Sequence, residues 1–512
     1  MAPLLLGLDV GTSAVKAGVF TDSGRLLGLG RAGHAVQSPA PGWTQCKPQD
    51  WWHGVVAALH AACAAASVRP DELAAVGLGT LFPCVVPLDA AGRALHPAIL
   101  YSDLRSTRQV HAVERAVGRR LYERMTGNRL VPGTCAATSL MWLRDERTDA
   151  YRRAHTLGFA NTFVTARLTG RFFTDPSHAA ISGLTDIRDP WRWSDDLCAL
   201  LRVDVARLPP ILGSGEAAGA VTRKAADATG LRPGTPVACG AGDVPAGVLG
   251  AGGHSADTLI YIAGTTDCTA LPTRRPAEEP RCANSAYVPR EAWLSIGTTT
   301  SSGAAAAWAA REVSGLALEE MTSLADSAAP GAGGVVFLPY LQGERTPVWD
   351  PLARGALLGL TSSTTRADIA RAIFEGVAFA LRQLVECADA IAPAPLRHIR
   401  AVGGPTANAF LNQLKADVLA RPLGVAALQE TGALGAALLG GMAAGVYGSF
   451  GEAVACAEAL VDVHTFEPDP ARTAAYAEVY RVYADAYAAT RDLTHRLAAL
   501  PHRTPSWLDR SI

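Results

Sequence analysis

The run LLLGLDVGTSAVKAGVF, from Leu4 to Phe20, decides how the rest of the chain is read. Leu4 to Leu8 and Val15 to Phe20 have strand composition. Between them Gly11, Thr12 and Ser13 suit a tight turn whose backbone N–H groups and hydroxyls can face an anion. Asp9 falls at the end of the first strand, facing whatever the turn holds. A carboxylate beside a polyphosphate requires a hard cation between them, and Mg2+ takes one or two carboxylates while keeping most of its waters. The expectation is a phosphate cradle in which Asp9 holds Mg2+ through water. An ordinary hairpin would read the same way, since Gly-Thr-Ser turns are common.

Working outward, four of the 46 Lys and Arg residues are lysines, and one of them, Lys16, lies in this first unit. A compact ammonium near phosphate is one use for it; a solvated strand position is the other. The same design returns at Thr258 to Leu271, TLIYIAGTTDCTAL, with Gly264, Thr265 and Thr266 in the turn. Two such hairpins imply two related domains, each offering a turn to one phosphate chain. No Walker-type GxxxxGK[ST] is present, which disfavours a P-loop NTPase.

Between the hairpins, GTPVACGAGDVPAGVLGAG (Gly234 to Gly252) reads as a short buried strand, a glycine-rich connection holding Asp243, and a small-residue helix. A carboxylate at such a junction can accept a proton from a substrate hydroxyl, or it can simply cap the helix. Further on, AVGGPTANAFLNQLKADVLARPLGV from Ala401 reads as strand, Gly-Gly turn, helix and strand. Gly403 and Gly404 there offer a flat surface for a nucleoside. The next helix, with Gly432, Ala433, Gly435, Ala436 and Ala437, is read as a closely packed core element rather than a ligand contact.

Composition narrows the function. The chain has 512 residues, 49% hydrophobic and 18% charged, with a formal net charge of -1, so it needs more than one core and has no electrostatic footprint for nucleic acid or an anionic membrane. Neither a basic n-region nor an apolar run of membrane-spanning length is found, and a cytoplasmic protein is expected. The ten cysteines form no CxxC pair and read as reduced core residues. The twelve histidines lack HxxxH and HExxH spacing, which gives no support to a zinc site.

These segments together resemble the FGGY carbohydrate kinases, within the actin and sugar-kinase superfamily, over nearly the whole chain. The resemblance rests on the first hairpin, PGWTQCKPQDWW at Pro41, PAILYSDLRS at Pro97, GAGDVPAGVLGAG around Asp243, AGTTD at Ala263, FLPYLQGERTPVWDPLARGALLGL at Phe337 and VGGPTANAF at Val402. GALLGLTSSTTRADIARAIFE, Gly355 to Glu375, fits the family's C-terminal signature throughout. Its helix carries Ile369, Ala372, Ile373, Val377 and Leu381 on one apolar face, and its expected work is to join the two domains. Among the family's branches the chain looks most like the xylulokinases.

The resemblance implies an α/β fold of two related actin/sugar-kinase-like (ribonuclease H-like) domains with a cleft between them. The expected division is 1–252, an acceptor-side domain, 253–495, a nucleotide-side domain, and a tail at 496–512. It implies ATP and Mg2+, with Asp243 as catalytic base and a second possible metal contact beside Asp9. Gly11, Thr12, Ser13, Lys16, Gly264, Thr265, Thr266, Gly403, Gly404 and Asn408 are expected at the nucleotide, and Tyr101, Asp103, Phe82 and Asp243 at the acceptor.

Departures from the family pattern fall on the acceptor side. Where xylulokinases carry Gln-Met-His-Gly, this chain has Leu81, Phe82, Pro83 and Cys84; where an amide commonly follows the catalytic Asp, it has Val244. Ser139 stands for a Lys of the N-terminal signature, and Tyr101, Ser102 and Asp103 for Trp-Asn-Asp. The expected activity is γ-phosphoryl transfer to a small sugar, D-xylulose giving D-xylulose 5-phosphate, with another ketose or a polyol as the alternative. An actin-like nucleotide-binding sensor without transfer is the alternative from another class. Partners are limited to the small acceptor, with no nucleic acid and no membrane, and a homodimer is left open.

Overall fold

The computed structural model describes residues 2–500. Residues 501–512 of the expected tail lie outside the described residues, and residues 496–498 belong to the last helix, Pro470–Ala498.

Two seven-stranded sheets organise the chain. The first contains β1 (Leu4–Val10), β2 (Ala14–Thr21), β3 (Leu26–Gly33), β4 (Leu73–Thr80), β5 (Ala217–Ala220), β6 (Pro236–Ala238) and the two-residue β7 (Ala241–Gly242). Its order is β3-β2-β1-β4-β6-β5, with β7 also on β4. The second contains β8 (Thr258–Ile262), β9 (Cys268–Thr273), β10 (Ala283–Ala286), β11 (Trp293–Thr298), β12 (His398–Val402), β13 (Leu423–Ala426) and β14 (Val463–Phe466). Its order is β10-β11-β9-β8-β12-β13-β14. In each sheet the leading strand pairs antiparallel with its hairpin partner and parallel with the strand on its other side, β4 or β12. One plan is used twice, as the two Gly-Thr turns predict.

Sheet one is buried on both faces, so β1 reads as a nearly continuous apolar run: Leu5, Leu6, Leu8 and Val10 are all buried. Helix α1 (Pro48–Ala66) packs on β1, β2 and β3. The other face is covered from the second half of the chain, by α5 (Thr431–Ala443), which packs on β1, β2, β4 and on α2 (Asp243–Gly250). The contact is backbone against backbone. A Cβ on Gly7 of β1 would lie 1.8 Å from the carbonyl oxygen of Ala433, and one on Gly77 of β4 would lie 1.7 Å from that of Ala436. The small-residue helix is thus a close-packing element, as expected.

The signature helix α3 (Arg366–Asp389) corrects an expectation. It packs against α4 (Ala409–Leu419), the sheet-two strands β9 and β11, and neighbouring helices of the second half, and its apolar face is spent inside that half. The two halves are joined by α5, whose glycines and alanines permit the approach that larger side chains would block. All ten cysteines are free and nine are buried, in keeping with the core role expected of them. Among the described residues, no helix is long and apolar enough to cross a membrane.

Candidate active site

Strands β1 and β7 both run parallel to β4, with Asp9 opposite Gly79 and Gly242 opposite Thr80. Asp9 near the end of β1 and Asp243 at the start of α2 therefore straddle the C-terminal end of β4, the end at which open parallel sheets receive ligands. Asp243 is the first residue of α2 rather than part of the preceding connection. Gly242 is the cap residue, and the Asp243 carboxylate accepts the adjacent Val244 N–H at 2.9 Å. Burial and the neighbouring Asp9 push Asp243 up to about 7, opposed by local backbone N–H groups and Arg345. Burial also pushes Asp9 up to about 6, with Lys16 opposing and Glu430 adding to the rise.

Two partly buried carboxylates, of which Asp9 raises the proton affinity of Asp243, suit a divalent cation held by hard oxygen donors. Among the described residues no cluster of three or more His, Cys, Asp or Glu forms a metal cage. A two-carboxylate site fits Mg2+, whose remaining positions go to water and substrate phosphates.

The first turn forms as predicted: Gly11 donates to the Ala14 carbonyl at 3.0 Å. His34 buttresses it, its backbone N–H donating to the Ser13 carbonyl and its ring Nε2 lying 3.1 Å from the Gly11 carbonyl. The β1–β2 register sets Lys16 opposite Asp9. Its ammonium donates to Glu430 at 2.7 Å.

Of the residues expected at the acceptor, Tyr101 places its hydroxyl 3.4 Å from that of Thr12, and the guanidinium of Arg345 lies 5.4 Å from its ring centre. Phe82 packs against Gly242 so closely that a Cβ there would come within 2.6 Å of the ring. With half-buried Val244 it makes an apolar wall at the Gly242–Asp243 junction. Behind the wall is a wholly buried polar network that sequence reasoning missed. Asp175 meets His178 Nδ1 at 2.6 Å, His178 Nε2 meets the Thr80 hydroxyl at 3.1 Å, and Ser177 accepts the Gly242 N–H at 2.9 Å. It fastens the two strand ends that carry the site. The sequence TDPSH does announce one part of it, because Asp before Pro is a helix-start signal and Asp175 caps the short helix Pro176–Ile181.

Asp103 is otherwise engaged than expected. It is buried, its oxygens taken by the Arg105 guanidinium at 2.8 Å and by the backbone N–H of Thr44 and of Arg105. A buried carboxylate needs such a cation, and Arg105, 4.0 Å from the Trp43 ring centre, supplies it.

The second hairpin exposes Thr265, with Gly264 and Thr266 partly exposed. The segment after β11 straps it down: Ser302 and Ala304 donate to the Thr265 carbonyl and Gly303 to that of Gly264. Beneath, buried Lys415 donates to the Tyr261 hydroxyl at 2.8 Å, close to Asp267, whose carboxyl burial pushes up and Lys415 pulls down. Gly403 adjoins this hairpin at a φ of 100°, where a Cβ would meet the Ala263 carbonyl at 2.2 Å; Gly404 beside it faces open space. Asn408 caps α4, accepting the Leu411 N–H at 3.1 Å. Its side chain therefore has a structural task besides the nucleotide contact expected of it.

The FGGY family of carbohydrate kinases matches through its N-terminal domain at residues 4–250 and its C-terminal domain at residues 259–444. The chain belongs to this family. A xylulose kinase of Lactococcus lactis subsp. lactis is 26% identical over 96% of this chain and 98% of its own. A glycerol kinase of Alkalilimnicola ehrlichii is 31% identical over 87% of this chain and 91% of its own. The crystal structure of xylulose kinase from Rhodospirillum rubrum superposes with a TM-score of 0.83 at 29% identity, covering 96% of this chain and all of that one. The fold is thus the two-domain α/β architecture of the sugar kinases. As an FGGY carbohydrate kinase the chain is an ATP-dependent sugar kinase, and the sensor alternative is set aside.

Proposed function

We propose that this FGGY kinase transfers the γ-phosphoryl group of ATP to a hydroxyl of a small open-chain acceptor, D-xylulose first among them, giving D-xylulose 5-phosphate. The acceptor lies on a domain spanning 1–252 and the nucleotide on one spanning 253–495. The observation that carries the reading is the pair Asp9 and Asp243 at the end of β4, in the half whose hairpin matches the one at Gly264.

In this reading Asp243 takes the proton of the acceptor hydroxyl as its oxygen attacks the γ-phosphorus and the ADP oxygen leaves. The raised proton affinity of Asp243 suits a base working near neutrality. Thr12 and Ser13, together with Gly264, Thr265 and Thr266, hold the phosphates from two sides. Gly403 and Gly404 bed the nucleoside. Mg2+, when bound with ATP, would be held by Asp9 through water with Asp243 near it, and supplies neutralisation of the phosphate charge. Closure of the two halves excludes water from the transfer.

A polyol is the second acceptor class, favoured by a specific observation: Phe82 and Val244 give the wall beside Asp243 no hydrogen-bonding side chains. A glycerol-sized polyol asks less of that wall than a ketopentose does. ADP release with MgATP across ketoses, aldoses and polyols, including D-xylulose and glycerol, tests both. Stimulation by D-xylulose upholds the first reading, and stimulation by polyols alone upholds the second. A flat panel in which no phosphorylated acceptor forms overturns both.

A further inference from the structure

Of the cations Lys16, Arg105 and Arg345, two are committed. Lys16 is paired with Glu430, and Arg105 is buried on Asp103. Arg345 is different. Among the described residues it has no carboxylate at ion-pair distance, and its guanidinium makes one hydrogen bond, to the Thr299 carbonyl at 2.6 Å. Guanidinium carries five N–H donors, so most of its capacity is unspent on a side chain that is only partly buried.

The loop that presents it is well fastened. Glu344 is buried and accepts the backbone N–H groups of Thr300 and Arg345, the latter at 2.7 Å. Thr346 donates through its N–H to the Thr298 carbonyl and through its hydroxyl to that of Arg281, which also accepts the Trp349 indole at 2.7 Å. Glu344 and Asp350 close the loop with a reciprocal pair of backbone bonds at 2.9 and 2.8 Å. The strap from Thr298 to Thr300 runs on into the segment that holds the second phosphate hairpin. Arg345 thus issues from the nucleotide half, crosses to the Tyr101 ring of the acceptor half, and comes close enough to Asp243 to influence its charge without touching it. A donor array fixed beside the Tyr101 ring by a fastened loop, with most of its donors unspent, is a preorganised recognition element.

We infer that Arg345 is the specificity-determining residue for the acceptor, donating to neighbouring hydroxyls of a neutral open-chain sugar or polyol whose reacting hydroxyl lies at Asp243. This rests on the kinase reading above. Recognition lost from the acceptor half at Phe82 and Val244 is supplied from the opposite half, so the acceptor is gripped when the halves meet. The carboxylates of Asp9 and Asp243 favour a neutral ligand here over an acidic one.

The test compares wild type, R345M and R345K in ADP release, varying D-xylulose, glycerol and D-gluconate against ATP, with the MgADP-induced rise in unfolding midpoint as a separate readout of nucleotide binding. R345M is expected to raise the acceptor KM about 10- to 100-fold, the loss of hydrogen bonds from a charged donor, while the ATP KM stays within about twofold. R345K keeps the charge and the loop's backbone bonds and is expected to recover part of the acceptor affinity. An unchanged acceptor KM in R345M, a raised ATP KM with a lost MgADP response, or a wild-type preference for D-gluconate over neutral acceptors would overturn the assignment. Should R345M fail to fold, an acceptor KM in R345K equal to that of wild type does so too, and a raised one upholds it. Failure of the kinase reading shows itself differently, as a wild-type enzyme that phosphorylates nothing, and the inference falls with it.

Discussion

Lys16 and Glu430 stand 414 positions apart in the chain and 2.7 Å apart in the folded protein. The pair ties the first hairpin to the residue that precedes α5, and it does so beside Asp9, opposite which the β1–β2 register sets Lys16. A Cβ on Gly432, two residues further on, would come within 2.7 Å of the Asp9 carboxylate. The start of the helix that joins the halves therefore lies against the Asp9 carboxylate, on whose charge the paired cation and anion have opposite effects.

Lys16 and Glu430 keep 33% and 22% of their side-chain surface exposed, so the pair contributes little to stability, about 0–1 kcal/mol. In the proposed function its worth is in the field at the phosphates. Lys16→Met is expected to raise the KM for MgATP about tenfold, one charge-assisted contact, while the unfolding midpoint stays within about 3 °C of wild type. Steady-state kinetics and calorimetry check this. A large drop in midpoint with an unchanged KM would make the lysine a structural tie alone.

Asp243 and Asp9 both hold their protons more tightly than an ordinary aspartate, at about 7 and about 6 against 3.8. A group whose folded value is raised in this way gives its full stabilisation below the unfolded value, and loses it as pH climbs through the folded one. In chelator, with no nucleotide, the unfolding midpoint is therefore expected to fall between pH 4 and pH 7. Asp243→Asn should flatten that fall and melt above wild type at pH 8, while lowering kcat about 10²- to 10⁴-fold and leaving nucleotide affinity nearly intact. Near-normal turnover in the variant would refute the base assignment; a lower midpoint at pH 8 would refute the electrostatic account.

The hairpins, the Asp243 junction and the Gly-Gly turn were legible because each is local: apolar runs, turn residues and a helix start within a few positions. The pairing partners were not. Arg105 stands two positions from Asp103, but the burial that locks the two together, with the Thr44 N–H as a further partner, comes from distant segments, and Lys16 meets a residue at the far end of the chain. The apolar face of α3 identified a buried helix without saying against what it is buried. The Gly and Ala stripe of α5 did hold that information, since only an approach of backbone to backbone uses so many small residues together. His178 was hidden for a different reason, being a single polar residue whose meaning comes from the strand ends folded around it, while the loop holding Arg345 reads from sequence alone as a polar turn.

Gly77 tests that approach. It sits in β4 under α5, where a methyl group would meet the Ala436 carbonyl at 1.7 Å with strand and helix backbone on both sides. Gly77→Ala is expected to cost about 1–3 kcal/mol, read as a lower denaturation midpoint, and to slow turnover because the strand ends at Gly79 and Thr80 beside both carboxylates. A variant as stable as wild type would mean that the two halves separate there easily.

His178 is fully buried with both ring nitrogens engaged. His178→Leu strips Asp175 and Thr80 of a partner, and unpaired buried polar groups cost about 1–3 kcal/mol. Because Ser177 on the same helix accepts the Gly242 N–H, the loss should also loosen the base. The expected result is a lower midpoint together with a fall in kcat larger than any change in the KM for ATP. Lost stability with an untouched kcat would confine the network to the core.

Val244 carries the acceptor question to a single side chain. It follows Asp243 on the first turn of α2 and is only half-buried, so an amide of similar size fits its place with its polar end toward the cleft. Val244→Asn adds a donor and an acceptor beside Asp243, where the proposed function puts the reacting hydroxyl. One net hydrogen bond corresponds to about 0.5–1.5 kcal/mol, up to about tenfold in kcat/KM. A ketopentose has further hydroxyls to use such a group and glycerol has fewer. The ratio of kcat/KM for D-xylulose to that for glycerol is therefore expected to rise by up to that factor in the variant, measured by ADP release at saturating ATP. An unchanged ratio would show that the wall beside Asp243 does not select the acceptor, and would leave Arg345 and Tyr101 to do so.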